Sequence, residues 1–277
     1  MPEQTYRIIA LDLDGTLLNS RKELSPRNAA ALARAAAKGI EVVPTTGRFF
    51  GGMPEVIRSL PYLHYAITVN GAQVYDIARD RAVARTELPL ADTLAIMSYL
   101  DTQPVVYDCY QNNWGYMTRS FQEHIADFTP DVHYQDMVRR LRTPVDELKA
   151  WLAEKGEGVQ KIQLFTPDPD LRRRLLADLA ERFPSAAISS SVPTNIEINA
   201  AAAHKGAALR QLAAYLGADI GGTISFGDGL NDVTMLREAG LGVAMANAWP
   251  EALAAADLVT ASNDEDGVAV TLEELGI

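Results

Sequence analysis

Two aspartates that lie two residues apart follow a short apolar run near the start of the chain. The segment reads Asp12-Leu13-Asp14-Gly15-Thr16 and comes directly after the buried-strand pattern Tyr6–Leu11. In an extended chain, residues i and i+2 project to the same side, so both carboxylates would point one way while Leu13 anchors the other face. Such a pair needs a cation or a shared proton, and oxygen ligands favour Mg²⁺. The alternative is an N-cap aspartate followed by a turn aspartate before Gly15.

A second acidic segment, Gly227-Asp228-Gly229-Leu230-Asn231-Asp232, follows the apolar strand pattern Thr223–Phe226 and opens a helix. Taken alone, Asp232 is an ordinary helix-start residue. In an open α/β sheet, however, ligands bind just beyond the carboxyl ends of the strands. We therefore expect Asp228 to face Asp12 and to complete an acidic metal site.

Two further segments suit a phosphate group. Thr45-Thr46-Gly47-Arg48 follows the strand pattern Ile40–Val43, and Lys205-Gly206 opens a helix. A hydroxyl and free backbone N–H groups at a helix start bind anions, and Thr46 is the candidate ligand. The alternatives are ordinary strand-exit residues for Thr46 and Gly47, and a solvated surface charge for Lys205.

The elements around these residues alternate between strand and helix. The helix Ser25–Lys38 has an N-cap serine, a proline at its first position and Gly39 as its stop. A helix at about Phe50–Leu60 and a strand at Tyr65–Val69 continue the alternation. This order predicts an α/β fold, in which a Rossmann-like parallel sheet is covered by helices on both faces.

Residues 82–190 have a different pattern, with more aromatic residues, short alternating strands and helices at about 91–101, 144–155 and 169–183. We predict an inserted α+β cap domain there. Residues 1–81 and 191–277 then form one discontinuous catalytic core, with helices at about His204–Leu216 and Leu230–Ala239.

Composition restricts the partners and the compartment. The 277 residues carry 25 basic and 36 acidic side chains, for a net charge of −11 and a pI near 4.9. This balance and the lack of a basic block argue against nucleic acid as a partner. The single cysteine, Cys109, indicates a reducing compartment, and no apolar run is long enough for a membrane span. We expect a cytoplasmic protein with no membrane partner.

The ordered set of motifs resembles the haloacid-dehalogenase-like hydrolase superfamily. The motifs are Asp12-x-Asp14-Gly15-Thr16, Thr46-Gly47-Arg48, Lys205-Gly206 and Gly227-Asp228-x-x-Asn231-Asp232. The large insertion resembles the Cof-type phosphatase subfamily, as do the segments Asn70-Gly71-Ala72 and Val243-Ala244-Met245-Ala246-Asn247-Ala248. The resemblance spans nearly the whole chain.

This resemblance implies a phosphoryl transfer through an aspartyl-phosphate. Asp12 would be the nucleophile, and Asp14 the general acid and base that binds Mg²⁺ through its backbone carbonyl. Asp228 would be a direct Mg²⁺ ligand, and Asp232 a metal-site acid that orients metal-bound water or Lys205. The resemblance also implies a set of phosphate- or substrate-binding residues: Thr46, Gly47, Arg48, Asn70, Gly71, Lys205 and Asn231. Thr46 and Lys205 are expected to take part in catalysis.

The function implied is a Mg²⁺-dependent phosphatase acting on a small phosphate ester, such as a sugar phosphate or a phosphorylated cofactor, with the cap selecting the substrate. A phosphomutase of the same superfamily and a catalytically silent phosphometabolite sensor are alternatives.

Other reactive side chains receive structural interpretations. Cys109 is interpreted as a small buried or half-buried side chain, His204 as a helix cap, and Arg139, Arg140 and Arg142 as solvated charges, with contact to an anionic substrate as the alternative for this arginine cluster.

Overall fold

The computed structural model describes residues 6–190 and 193–277. The chain divides into two compact units: Thr86–Ala203, here the inserted unit, and the residues before and after it, up to Arg85 and from His204, here the core unit. In chain order the strands are β1 (Ile8–Leu11), β2 (Glu41–Pro44), β3 (Tyr65–Thr68), β4 (Gln73–Asp76), β5 (Arg81–Arg85), β6 (Val106–Gln111), β7 (Trp114–Thr118), β8 (Arg142–Val145), β9 (Lys161–Phe165), β10 (Ala186–Ser189), β11 (Asn195–Ala200), β12 (Thr223–Gly227), β13 (Leu241–Ala244) and β14 (Leu258–Val259). The helices are α1 (Pro26–Ala37), α2 (Glu55–Arg58), α3 (Leu90–Leu100), α4 (Arg119–Glu123), α5 (Val132–Leu141), α6 (Leu148–Lys155), α7 (Pro169–Arg182), α8 (Lys205–Tyr215), α9 (Val233–Glu238), α10 (Pro250–Leu253) and α11 (Gly267–Glu274).

The core unit is built on a parallel five-stranded sheet with the strand order β14-β13-β12-β1-β2. Strand β1 is buried on both faces: Ile9 and Leu11 pack into one hydrophobic cluster, while Ile8 and Ala10 pack into another. A strand covered on both sides must be apolar at every position, which explains the continuous run. The predicted α/β class with a parallel-sheet core is confirmed.

Helix α1 begins and ends as its sequence predicts. The Ser25 hydroxyl accepts a hydrogen bond from the Asn28 N–H at 3.1 Å, and Pro26 is the first helical residue. Gly39 follows the helix with φ at +81°, a left-handed conformation that favours glycine. The predicted helix at 50–60 is instead divided into a short 3₁₀ turn, Phe50–Gly52, and α2. Pro54 stands between them and lacks the N–H that a continuous helix needs.

Strand β3 is expected to extend the parallel sheet, and within the described part of the chain it does so only through one parallel bridge to the residue that follows β2. It forms a three-stranded antiparallel sheet with β4 and β5 and meets the core sheet only in the isolated parallel bridge between Thr45 and Ile67 among the described residues. The connection from β3 to β4 has only a short turn, 69–72. Neighbouring parallel strands need a crossover of a dozen or more residues, so this turn gives an antiparallel pair.

The inserted unit contains a six-stranded sheet with the order β10-β11-β9-β6-β7-β8, antiparallel except for the β7–β8 pair. Strand β11 pairs with β9, so the boundary expected at residue 190 lies instead between Ala203 and His204. The helix expected from Pro144 begins at Leu148, because Pro144 lies in the edge strand β8. An edge strand tolerates a residue without an N–H group.

Arg142 was interpreted as a solvated charge, but its side chain is fully buried in the inserted unit. Its Nε donates to Asp108 Oδ2 at 2.7 Å, and a terminal nitrogen donates to the Tyr110 hydroxyl at 2.7 Å. Cys109, next to Asp108, is buried as expected, and burial raises the pKa of its thiol. Among the described residues, no helix combines the length and the apolar character that a bilayer span requires.

We expect Asp108→Ala to lower the free energy of unfolding by about 3–5 kcal/mol, because the buried Arg142 guanidinium would lose its counter-ion. The matched control is Asp146→Ala, which breaks the exposed Arg119–Asp146 pair at 3.2 Å and should cost less than about 1 kcal/mol. Urea unfolding followed by circular dichroism measures both. Equal losses in the two variants would contradict a structural role for the buried pair.

Candidate active site

The candidate site lies at the carboxyl ends of three adjacent parallel strands. Asp12 follows β1, Asp228 follows β12, and Thr46 comes two residues after β2. Strands β12 and β2 are the two neighbours of β1 in the sheet, so the ends of all three meet at one edge. This is the edge at which open α/β sheets bind their ligands.

Lys205 joins two of the predicted acidic residues. Its Nζ donates to Asp12 Oδ1 and to Asp232 Oδ1, each at 2.6 Å, and its side chain is fully buried. Burial alone would lower the pKa of Lys205, but the two carboxylates raise it, so the ammonium stays charged. The lysine is the first residue of α8, and the His204 ring caps that helix by accepting from the Ala207 N–H at 3.1 Å. The interpretation of His204 as a cap agrees with this contact.

Asp12 is almost completely buried. Burial raises its pKa to about 8, and the carboxylates of Asp232 and Asp228 act in the same direction, whereas Lys205 opposes them. Around Asp12, the single positive charge of Lys205 is outnumbered by the three carboxyl groups of Asp12, Asp228 and Asp232. A second positive charge at this point would therefore favour the ionised, nucleophilic form of Asp12.

Asp232 is fixed through both of its oxygens. While Oδ1 accepts from Lys205, Oδ2 accepts from the backbone N–H groups of Asp228 at 3.0 Å and of Gly229 at 2.8 Å. The side chain therefore holds the turn that carries Asp228 as well as the lysine. The expected contact of Asp232 with Lys205 is therefore present.

Asp228 is oriented by a residue to which we assigned no role. The Thr16 hydroxyl donates to Asp228 Oδ1 at 2.8 Å. Gly15 has φ at +90°, and a Cβ there would lie 2.4 Å from Asp228 Oδ2. Glycine is thus required for the first acidic segment to approach Asp228. The sequence signal for Thr16 was its place directly after Asp14-Gly15.

The ligand atoms of Asp12, Asp228 and Asp232 all lie within 4.8 Å of one another. Asp228 Oδ2 has no protein hydrogen-bond partner among the described contacts, while Oδ1 accepts from Thr16. Hard carboxylate oxygens with an excess of negative charge match the ligands that Mg²⁺ takes in proteins. The donor set therefore fits the expected cation.

Asp14 does not belong to this group. Its carboxylate is bound by Arg48 through two hydrogen bonds, from Nε to Oδ2 at 3.0 Å and from a terminal nitrogen to Oδ1 at 3.1 Å, and by the Lys22 ammonium at 2.9 Å. Burial would raise the pKa of Asp14, but these two cations lower it overall. The extended-chain argument for a joint Asp12–Asp14 site fails because β1 ends at Leu11 and the next residues form a turn.

The Thr46 loop, the Asn70 turn and the Asn231 turn are linked by hydrogen bonds. The Arg48 N–H donates to the Thr46 hydroxyl at 3.2 Å, and the Asn70 N–H donates to the Thr46 carbonyl at 3.0 Å. Asn231 Nδ2 donates to Asn70 Oδ1 at 3.1 Å, and a Cβ on Gly47 would lie 2.9 Å from the same oxygen. Asn70 therefore holds Gly47 and Asn231 near each other.

The Asn70 turn has an unusual backbone. Val69, Asn70 and Gly71 have φ values of +52°, +57° and +95° in succession. A β-branched residue at positive φ is rare and marks local strain. A Cβ on Gly71 would lie 2.4 Å from the His204 carbonyl oxygen, so Gly71 lets this turn pack against the start of α8. Among the described contacts, the role of Gly71 is to allow this close approach of the turn to α8.

Asn247 lies in one of the segments that carry the resemblance, and the sequence predicts no role for it. Its Nδ2 donates to the Gly15 carbonyl at 2.8 Å, and its Oδ1 accepts from the Asn263 N–H at 3.0 Å. It therefore ties the first acidic segment to the C-terminal part of the core unit. Lys22, which contacts Asp14, had no sequence signal, because it lies in a charged surface turn.

The chain is similar to known proteins over nearly its whole length. A family model described as haloacid dehalogenase-like hydrolase matches residues 9–272. The Bacillus subtilis 5-amino-6-(5-phospho-D-ribitylamino)uracil phosphatase YcsE is 31% identical over 268 residues, which cover 95% of this chain and 93% of that protein. The Escherichia coli pyridoxal phosphate phosphatase YbhA is 28% identical over 96% of this chain and 97% of its own. The crystal structure of a haloacid dehalogenase-like hydrolase from Bacteroides thetaiotaomicron has a TM-score of 0.83 and 27% identity, and covers 98% of this chain and all of its own.

Proposed function

The chain belongs to the haloacid dehalogenase-like hydrolase family, and on this basis we propose that it is a Mg²⁺-dependent phosphatase of small phosphorylated metabolites. The reaction would proceed through a phosphoryl group on Asp12. The observation that carries the proposal is the buried Lys205 ammonium, which is 2.6 Å from both Asp12 and Asp232. Lys205 therefore fixes the carboxylate of Asp12 at the edge of the sheet, within the residues that the family model matches.

Asp12 would act as the nucleophile. One carboxylate oxygen would attack phosphorus, forming an acyl phosphate as the bond from phosphorus to the ester oxygen breaks. Lys205 holds Oδ1 of this carboxylate, which leaves Oδ2 for the attack. Water would then break the acyl phosphate and release inorganic phosphate.

Asp14 would supply the proton that the leaving oxygen takes up and would later accept a proton from the attacking water. Its carboxylate is held by Arg48 and Lys22 in the structure, and this pairing favours the ionised form that the second step needs. The Asp14 side chain is about one-third exposed and is therefore accessible to solutes.

Phosphoryl oxygens would be bound by residues at the strand ends, with Lys205 supplying the positive charge. Thr46 and Gly47 would present a hydroxyl and a backbone N–H, and Asn231 its amide. Donors fixed in advance stabilise the charge that spreads over the equatorial oxygens during transfer. Asn70 and Arg48 position this group through the contacts already described.

Asp228 would hold Mg²⁺ with its free carboxylate oxygen, Oδ2, and Asp12 would hold it with Oδ1, assisted by the Asp14 backbone carbonyl. When bound, the ion supplies charge neutralisation at the phosphoryl group and keeps Asp12 ionised. Asp232 is a positioning residue here, since both of its oxygens are already engaged. Thr16 and Gly15 set where Asp228 lies.

The substrates we propose are sugar phosphates or phosphorylated cofactors. Two relatives are named as phosphatases of a phosphoribitylamino-uracil and of pyridoxal phosphate. The inserted unit, whose sequence differs in character from the core, is the part we propose selects among such esters, as a cap. A cytoplasmic location also belongs to this proposal.

Removal of the metal tests the proposed cofactor. Excess chelator should abolish phosphate release from a panel of phosphate esters, and added Mg²⁺ should restore it. Asp228→Asn should raise the Mg²⁺ concentration for half-maximal activity by at least the roughly 10–100-fold that loss of an outer partner of a metal ligand costs, because it removes an anionic ligand. Asp127→Asn, an exposed residue of the inserted unit, is the matched control and should change nothing. Full turnover in excess chelator would refute the metal assignment.

A further inference from the structure

Two cations share the single carboxylate of Asp14. Lys22 Nζ and a terminal nitrogen of Arg48 both donate to Asp14 Oδ1, at 2.9 and 3.1 Å, and Arg48 Nε donates to Oδ2 at 3.0 Å. The three side chains are 61%, 38% and 35% exposed, so the group lies at the surface of the core unit and is open to a solute. The group carries one net positive charge.

Hydrogen-bond donors remain on both cations. The Lys22 ammonium has three N–H donors, and Asp14 is its partner among the described contacts. The Arg48 guanidinium has five N–H donors, of which two go to Asp14 and one goes to the Gly52 carbonyl at 3.2 Å. A second anion could therefore bind both side chains without displacing Asp14.

Lys22 is held in place by its turn. Its φ is +63°, and its N–H donates to the Asn19 carbonyl at 2.8 Å, while Asn19 Oδ1 accepts from the Glu23 N–H at 2.9 Å. The backbone N–H and the hydroxyl of Ser20 donate to the two oxygens of Asp264, at 2.8 and 2.5 Å. These contacts fix the backbone of the turn that carries Lys22, whose ammonium lies 2.9 Å from Asp14 Oδ1.

The neighbouring cation of the same turn behaves differently. Arg21 Nε donates to Glu23 at 2.8 Å, with 79% of the Arg21 side chain exposed. Its charge is matched by one carboxylate two residues away, and it has no contact with Asp14 among the described residues. The excess charge thus belongs to Lys22 and Arg48 and is not a general property of the turn.

We propose that Lys22 and Arg48 form a subsite for a second anion of the substrate, namely a carboxylate or a second phosphate on the leaving group. This rests on the proposed function, in which Asp14 contacts the leaving oxygen. An anion bound to both cations would lie within about three hydrogen-bond lengths, ~9 Å, of that oxygen. The favoured esters are therefore those of short hydroxy acids or of compact bisphosphates.

The test compares two esters of nearly equal size, 3-phosphoglycerate and glycerol 3-phosphate, which differ in a carboxylate against a CH₂OH group. The wild-type enzyme should prefer 3-phosphoglycerate in kcat/KM by about fivefold or more, and the preference should shrink as KCl is raised. Lys22→Gln should reduce the ratio of the two kcat/KM values by about twofold to fivefold, and Lys22→Glu should bring the ratio below that of Lys22→Gln.

Arg21→Gln is the matched control, since it removes a cation from the same turn and should leave the ratio as in the wild type. If the wild-type enzyme turns over neither ester, their inhibition constants against p-nitrophenyl phosphate replace kcat/KM in the same comparison. A wild-type ratio of the two kcat/KM values near one would overturn the proposed subsite. An equal change of that ratio in Lys22→Gln and Arg21→Gln would overturn it as well. No phosphate release from any ester would instead overturn the proposed function.

Discussion

Asp12→Asn is expected to reduce phosphate release by a factor on the order of 10⁴–10⁶, the range seen when a catalytic nucleophile is removed. An amide oxygen carries no negative charge and cannot form the acyl phosphate. The fold should be retained, because Lys205 keeps its second carboxylate partner, Asp232, at 2.6 Å. Steady-state assays with a panel of esters and Mg²⁺, together with the circular dichroism spectrum, measure the two effects.

Asp264→Asn is the control for the loss of one carboxylate in the core unit. Asp264 contacts the Ser20 turn and lies outside the group formed by Asp12, Asp228 and Asp232. We expect Asp264→Asn to keep the activity of the wild type, within a small factor, toward a phosphate ester whose leaving group carries no anionic group. An Asp12→Asn variant that is folded and retains more than about one-hundredth of the activity would contradict the role of nucleophile.

Asp14→Ala is expected to show a different defect on two kinds of substrate. An aryl phosphate has a leaving group that departs as a stable anion, so Asp12 should still be phosphorylated without an acid. The following attack by water needs a base, whose assistance is typically worth about 10²–10⁴-fold. Rapid mixing should therefore show a burst of the aryl alcohol followed by slow turnover.

An alkyl phosphate should give no burst with Asp14→Ala, because its alkoxide needs a proton in order to leave. Arg21→Gln removes a cation that pairs with Glu23 and has no described contact with Asp14, so it serves as the comparison and should give no stalled intermediate. Equal inactivity of Asp12→Asn and Asp14→Ala toward aryl phosphate would show that the two aspartates do not divide the work in this way.

The sequence predicts the local elements around the site well. The apolar run before Asp12, the capped helix α1 and the strand β13 at Leu241–Ala244 depend on neighbouring residues, and all three are present. The meeting of Asp12 with Asp228 could be predicted as well, because each follows an apolar strand of a parallel sheet.

Contacts that depend on exact backbone turns could not be predicted. The separation of Asp14 from the other carboxylates follows from the turn after β1, and the antiparallel position of β3 follows from three consecutive left-handed residues. The burial of Arg142 depends on Asp108, which is 34 residues away in the chain. Such pairings are set by tertiary packing, which local periodicity does not report.

The most direct test of the central claim is to locate the phosphoryl group in the covalent intermediate. Asp14→Ala would be mixed with an aryl phosphate and Mg²⁺, quenched with acid, digested and analysed by mass spectrometry. We predict one phosphoryl group on the peptide that contains Asp12, labile to hydroxylamine as an acyl phosphate is, and none in the Asp12→Asn, Asp14→Ala double variant. A phosphoryl group on any other residue of Asp14→Ala would contradict the account. The account would also be contradicted if the wild-type enzyme turns over and Asp14→Ala shows a burst, but no phosphoryl group is found on Asp14→Ala.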